Sequence, residues 1–210
     1  MHAIVVSGAS RSFPEGDPFL ASGGDSATAE VLVLLGSPML QPDPARLAIL
    51  VELGTECLGA HTGEQAGEEG SNVLGFARYR NGDDPPSNLV ELVRQKRTDP
   101  RAIAAARAVF EAGGLTVVVC SDQAGRIVDR LVRPKYNAAL RFLDEGLASA
   151  ADMDLTCRMG LGYPDGPVER VLRGGLARHG DVSRALFEVY GTPAYAPARR
   201  AVVAMTREKS

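Results

Sequence analysis

The sequence predicts an α/β half over residues 1–121 and an all-α half over residues 122–210. Three observations carry this. Short apolar, β-branched runs recur as far as Cys120 and then stop. Between two of those runs lies one well-punctuated helical stretch, giving the strand–helix–strand order of an α/β unit. Beyond Gly125 the apolar residues recur at helical rather than strand spacing.

Residues 3–6 and 31–35, the second reading Val-Leu-Val-Leu-Leu, have the composition of buried strands. The stretch between them holds Pro14, Gly16, Pro18, Gly23 and Gly24, which remove amide donors or cost backbone entropy, so no long crossover helix is expected there. Residues 48–51 and 73–79 read as further strands, separated by a Gly-, Glu-, Gln- and Ala-rich surface loop over 59–70. After a strand at 89–93, Asp99 supplies an N-cap side chain and Pro100 the first helical position. Ile103, Ala106 and Phe110 keep helical spacing, Gly113-Gly114 ends the helix, and residues 115–119 form a β-branched run.

In the second half Tyr136, Leu140, Leu143 and Leu147 form one stripe, with Pro134 placed to kink or restart the helix. Ser149 and Asp152 have the spacing of a capping box, and Gly160 and Gly162 mark a stop. Val182, Ala185, Leu186 and Val189 give a last apolar face. There is no internal repeat.

Composition narrows the function. With 45% hydrophobic and 23% charged residues the 210-residue chain has the balance of a soluble globular protein. A formal net charge of -3 leaves no general basic field for nucleic acid or an anionic membrane, so neither is an expected partner. No apolar run approaches the roughly 20 residues that span a bilayer. The start, Met1-His2-Ala3-Ile4-Val5-Val6, lacks the basic region and long apolar stretch of a signal peptide, and a cytoplasmic location is expected. Cys57, Cys120 and Cys157 are widely spaced without a C-x-x-C, so neither a disulfide framework nor a cysteine zinc site is expected, and no metal is assigned.

The segment Asp122-Gln123-Ala124-Gly125-Arg126-Ile127-Val128-Asp129-Arg130-Leu131 is followed by Asn137-Ala138-Ala139-Leu140, by Glu145-Gly146, and by Gly160-Leu161-Gly162-Tyr163-Pro164-Asp165-Gly166-Pro167. These runs, in this order, resemble the C-terminal domain of 3-hydroxyacyl-CoA dehydrogenases. Upstream, Leu89-Val90-Glu91 and Thr98 resemble that family's L-V-E-V and its following threonine. The resemblance implies a Rossmann-like, NAD-binding parallel sheet, here shortened. A helical domain of the kind that ends 6-phosphogluconate dehydrogenases would follow, closing an acyl-CoA site and forming dimers. It also implies oxidation of an (S)-3-hydroxyacyl-CoA to the 3-ketoacyl-CoA in β-oxidation.

Residue by residue, that chemistry is incomplete. A nucleotide cradle calls for G-x-G-x-x-G after the first strand, because only glycines let the backbone reach a pyrophosphate. Here Ser7-Gly8-Ala9-Ser10-Arg11-Ser12 has one glycine, and tight NAD binding by this chain is not expected. The same run resembles the opening of short-chain dehydrogenases, but their Tyr-x-x-x-Lys is absent.

In the family a histidine is the general base, suited by a pKa near neutrality, and a glutamate holds it. Glu91 matches the glutamate, whereas the histidine position falls on Tyr79, and a phenol is a poor base at neutral pH. The family's asparagine corresponds to Asp129, an amide exchanged for a carboxylate, and its serine loop falls near Gly54-Thr55-Glu56-Cys57. Arg94 and Lys96, together with Arg130 in an Arg126, Arg130, Arg133 stripe, are candidates for CoA phosphates; a solvated helix face or an interface is the plainer reading of the stripe. His61 and His179 read as surface or capping residues. Two functions stay open: a dehydrogenase-family protein of acyl-CoA metabolism, or a non-catalytic subunit pairing with itself or with a complete homologue through the helical domain.

Overall fold

A computed structural model of the chain describes residues 1–36, 40, 41, 43–67 and 69–208. The chain forms two compact units, the first made of residues 1–80 and 86–126, the second of residues 81–85 and 127–210.

The first unit contains strands β1 (His2–Val6), β2 (Val31–Leu35), β3 (Ala48–Glu52), β4 (Val73–Arg78), β5 (Leu89–Arg94) and β6 (Thr116–Ser121). All six expected strands are present, and they lie in one sheet in the order β1-β2-β3-β4-β5-β6. The expected parallel sheet is present, with one exception. β1 to β4 pair in parallel and β5 pairs in parallel with β6, but β4 and β5 are antiparallel, with Ala77 opposite Glu91. Residues 79–88 are too few for the dozen or more that a parallel crossover needs.

The connections also contain α1 (Gly59–Thr62), within the expected surface loop, and α2 (Pro100–Ala112). Asp99 caps α2 by accepting from the Arg101 N–H. α2 packs Ala102, Ala106 and Phe110 onto one face of the sheet. Between β1 and β2 the prolines and glycines leave only a 3-10 turn, Pro18–Ser22. Phe13 and Phe19 do the work of a crossover helix: they stack on each other with centroids 4.4 Å apart and reach Phe110 at 6.2 and 5.6 Å. Arg78 fastens this excursion to β4, donating through Nη1 to the Ser12 carbonyl and to the Asp17 carboxylate, with its guanidinium 4.9 Å from the Phe13 ring centroid. The opposite face is covered by Leu34, Ile49, Val51, Leu53, Leu58 and Val93.

The second unit consists of α3 (Val128–Asp144), α4 (Ala150–Leu161), α5 (Pro167–Arg173), α6 (Leu176–Tyr190) and α7 (Arg199–Glu208). α3 runs through Pro134 without restarting and buries Tyr136 and Leu140 against Val171, Ala198 and Ala201. The stripe does not extend to Leu147, which is 67% exposed because α3 has already ended at Asp144. On α6 the buried line is Ala177, His179, Gly180, Ser183 and Leu186, and Val189 faces outward; Gly180 belongs to it because Met205 of α7 packs where a β-carbon would sit.

Ser149 is the N-cap of α4, as expected, accepting from the Asp152 N–H at 3.1 Å; its hydroxyl donates to the Asp152 carboxylate at 2.7 Å, which is half of a capping box. The start of α5 is capped from a distance. Asp154, 7% exposed, accepts from the Val168 and Glu169 N–H groups at 2.8 and 2.9 Å. Replacing it leaves two helix-terminal donors without their carboxylate, so Asp154→Ala is expected to lower stability by about 0.5–2 kcal/mol in thermal denaturation; an unchanged midpoint would argue against this cap.

No helix among the described residues is long and apolar enough to cross a membrane.

Candidate functional site

Glu91 sits mid-strand on β5, on the sheet face opposite α2, and is 3% exposed. Its counter-charge is Arg126, with Nε 3.6 Å from Oε2. Arg126 is not the first member of a helix stripe, because α3 begins only at Val128. It lies in the loop after β6, 6% exposed, and donates through Nη2 to the Gly54 carbonyl at 2.6 Å.

The loop's backbone explains how the guanidinium reaches the strand. Asp122 accepts from the Leu58 and Gly59 N–H groups, and the Gly125 N–H donates to the Thr55 carbonyl, so the loop is tied to the segment after β3. Gly125 and Arg126 then both take left-handed conformations, with φ of 69° and 49°. Arg126 is the only non-glycine residue at positive φ among the described residues, a costly conformation held here by what its side chain reaches. Its Nε and Nη1 are buried without hydrogen-bond partners.

This pair leaves Glu91 facing a cation that keeps its proton under all ordinary conditions. Cys120 completes the cluster. Burial, reinforced by the Glu91 carboxylate, pushes its thiol up to about 11, so it stays a protonated thiol and is no nucleophile at neutral pH.

Tyr79 follows the end of β4, and its carbonyl accepts from the Ser87 N–H at 2.9 Å. Arg94 and Lys96 come together on a polar cleft of about 730 Å³ that also carries the carboxylates of Glu64 and Asp122 and the Cys57 side chain. Among the described residues no group of His, Cys, Asp and Glu is arranged to hold a metal.

Asp129 and Arg130 belong to the second unit. Asp129, in the first turn of α3, accepts from Nε and Nη2 of Arg133 at 2.9 and 2.6 Å. Arg130 packs on the Tyr190 ring, 4.5 Å from its centroid, with Nε 3.4 Å from the Tyr195 hydroxyl. The reading of the stripe as a solvated helix face fails for Arg126 and Arg133, which are 6% and 7% exposed and pair with the carboxylates of Glu91 and Asp129.

His179 is likewise neither a surface nor a capping residue. It is 1% exposed, with Nδ1 3.4 Å from Nη1 of Arg133 and Nε2 2.9 Å from Oδ1 of Asn137. These partners fix a neutral ring that accepts at Nδ1 and donates at Nε2.

Sequence reasoning missed Glu52 altogether. It ends β3, and its carboxylate accepts from the loops that follow β1 and β2. A polar residue closing a strand looks like any solvent-facing end, so no local signal marked it.

A mostly parallel sheet followed by a helical unit is the Rossmann-plus-helical architecture. The crystal structure of FadB2 from M. tuberculosis shares this fold with a TM-score of 0.71 at 23% identity, over 86% of this chain and 66% of that one. The (S)-3-hydroxybutyryl-CoA dehydrogenase PaaH1 from Ralstonia eutropha does so with a TM-score of 0.70 at 20% identity, over the same shares. Residues 125–208 match the family model for the 3-hydroxyacyl-CoA dehydrogenase C-terminal domain.

Among curated proteins, a 3-hydroxybutyryl-CoA dehydrogenase of Mycobacterium tuberculosis is 34% identical over 114 residues, 54% of this chain and 40% of the relative. A probable 3-hydroxyacyl-CoA dehydrogenase of Caenorhabditis elegans is 38% identical over 85 residues, 40% of this chain and 28% of the relative. The matched regions thus span well under half of these relatives. The chain resembles the 3-hydroxyacyl-CoA dehydrogenase family, most closely over its helical unit.

Proposed function

We propose that this chain acts in acyl-CoA metabolism as a dehydrogenase-like protein that does not itself carry out the oxidation. The observation that carries this reading is the Glu91–Arg126 pair. In the family a carboxylate at this place orients an imidazole that must take and return a proton. Here the carboxylate meets a guanidinium, which cannot exchange a proton near neutrality, and the base position holds Tyr79. The three histidines are engaged otherwise: His2 with Ser22, His61 with Glu56, and His179 with Arg133 and Asn137. A carboxylate at Asp129, already held by Arg133, supplies no amide donor to a substrate carbonyl.

The nicotinamide cofactor implied by the resemblance fits the residues poorly. The loop ends where its pyrophosphate would lie are bonded to Glu52, and we expect no tight NAD binding. We assign an acyl-CoA ligand by resemblance, with Arg94 and Lys96 on the polar cleft as the phosphate contacts; Arg130 is the third candidate. A cytoplasmic location is proposed with it.

The test is direct. Purified protein with NAD and (S)-3-hydroxybutyryl-CoA is expected to form no reduced nicotinamide above the protein-free rate, while calorimetry detects acetoacetyl-CoA binding that Arg94→Ala with Lys96→Ala weakens. Turnover that Glu91→Gln abolishes would overturn the reading.

One observation favours a pairing role alongside this. The helical unit carries an apolar groove of about 360 Å³ bordered by Phe142, Leu147 and Leu161, which are 42%, 67% and 63% exposed. A homodimer, or a heterodimer with a complete homologue, would cover it. Sedimentation is expected to show a dimer alone or a complex with such a homologue; a monomer in both experiments would count against pairing.

A further inference from the structure

β1, β2 and β3 run parallel and end side by side at Val6, Leu35 and Glu52. The space beyond the carboxyl ends of such strands is where open α/β sheets receive phosphate-bearing ligands, on backbone N–H groups. In this chain the N–H groups are present and converge on an internal anion. Oε1 of Glu52 accepts from the Ser10 hydroxyl at 2.9 Å, the Arg11 N–H at 3.0 Å and the Ser12 N–H at 2.8 Å. Oε2 accepts from the Gly36 N–H at 3.0 Å.

Two successive N–H groups from one loop and a third from the next make the kind of concavity that binds anions. The loops are drawn together for it: Gly36 has φ of 72°, and a β-carbon there would run into the backbone of Gly8.

We propose that these loops form a phosphate cradle and that Glu52 is its built-in occupant, a carboxylate standing where a phosphate oxyanion would bind. The inference rests on the reading that this chain does not hold NAD tightly, and it names the group responsible. A carboxylate offers two charged acceptor oxygens to the same donors that a phosphate edge would use. While it is seated, an incoming diphosphate meets saturated donors and a like charge. Removing the carboxylate frees three backbone N–H groups and one hydroxyl around a space of anion size.

The experiment titrates inorganic pyrophosphate, and separately NADH, into wild type, Glu52→Gln and Glu52→Ala, following the amide resonances of Arg11, Ser12 and Gly36. Wild type is expected to show no saturable pyrophosphate response. Glu52→Ala should bind with at least roughly tenfold greater affinity, its shifts confined to those amides, and Glu52→Gln should fall between the two. If Glu52→Ala does not fold, Glu52→Gln carries the comparison, because its amide oxygen keeps an acceptor in the cradle while the charge is gone. Folded variants that bind no better than wild type, or a wild type that already binds pyrophosphate at these amides, would overturn the cradle. NADH separates the two claims: tight binding by wild type contradicts the parent reading, whereas a wild type silent to NADH with variants silent to pyrophosphate removes the cradle alone.

Discussion

Replacing Arg126 by methionine is expected to destabilise the first unit by about 3–5 kcal/mol, the usual cost of removing one partner from a buried ion pair. The substitution leaves the Glu91 carboxylate, 3% exposed, without its guanidinium. The reverse change, Glu91→Leu, strands a guanidinium whose Nε and Nη1 already lack hydrogen-bond partners, so a loss of similar order is expected. Because the pair is incompletely satisfied, the double variant should recover most of the loss. Urea denaturation of wild type, both single variants and the double variant measures the coupling. Additive losses in the double variant would show that the two side chains do not depend on each other.

The second large effect is acid destabilisation of the helical unit through His179. Burial, with the Arg133 charge adding to it, lowers the folded-state pKa of this histidine to about 3, from an ordinary value near 6.5. As pH falls below about 6.5 the unfolded chain takes up a proton that the folded protein refuses. The stabilising contribution is therefore complete above that value and is lost as pH falls towards 3, at roughly 1.4 kcal/mol per pH unit. By about pH 4.5 the loss should reach roughly 3 kcal/mol. Four of the five tyrosines, Tyr136, Tyr163, Tyr190 and Tyr195, lie in the second unit, so tyrosine fluorescence in urea follows its unfolding. His179→Gln should flatten the acid slope over this window, and a slope equal to that of wild type would contradict the assignment.

Much of the fold was legible because local chemistry and tertiary position agree. Each apolar, β-branched run became a strand, Asp99-Pro100 opened a helix, and Ser149 capped another. Strand direction was harder to read, since period-two alternation is the same in both senses. Only the ten residues between β4 and β5 signalled the antiparallel turn.

The candidate site was half legible. Glu91 was found from its neighbours Leu89 and Val90, but its partner was not, because Arg126 read as the start of an i, i+4 series. The left-handed turn at Gly125-Arg126 takes it out of the helix, and that turn depends on a loop held by Asp122 and Thr55. His179 and Arg133 were misplaced for a related reason. A histidine or arginine on an amphipathic helix is normally exposed, and here each is buried by a partner 46 residues away in the chain. Glu52 was invisible because its donors come from loops 16 and 40–42 residues distant.

On the reading proposed above, Arg126 and Glu52 occupy with their own side chains the places at Glu91 and at the loops after β1 and β2 where a catalytic base and a dinucleotide would act. Calorimetric titration of NADH into the wild-type protein tests it most directly. No saturable heat is expected through the micromolar range, and a low-micromolar dissociation constant would contradict this reading.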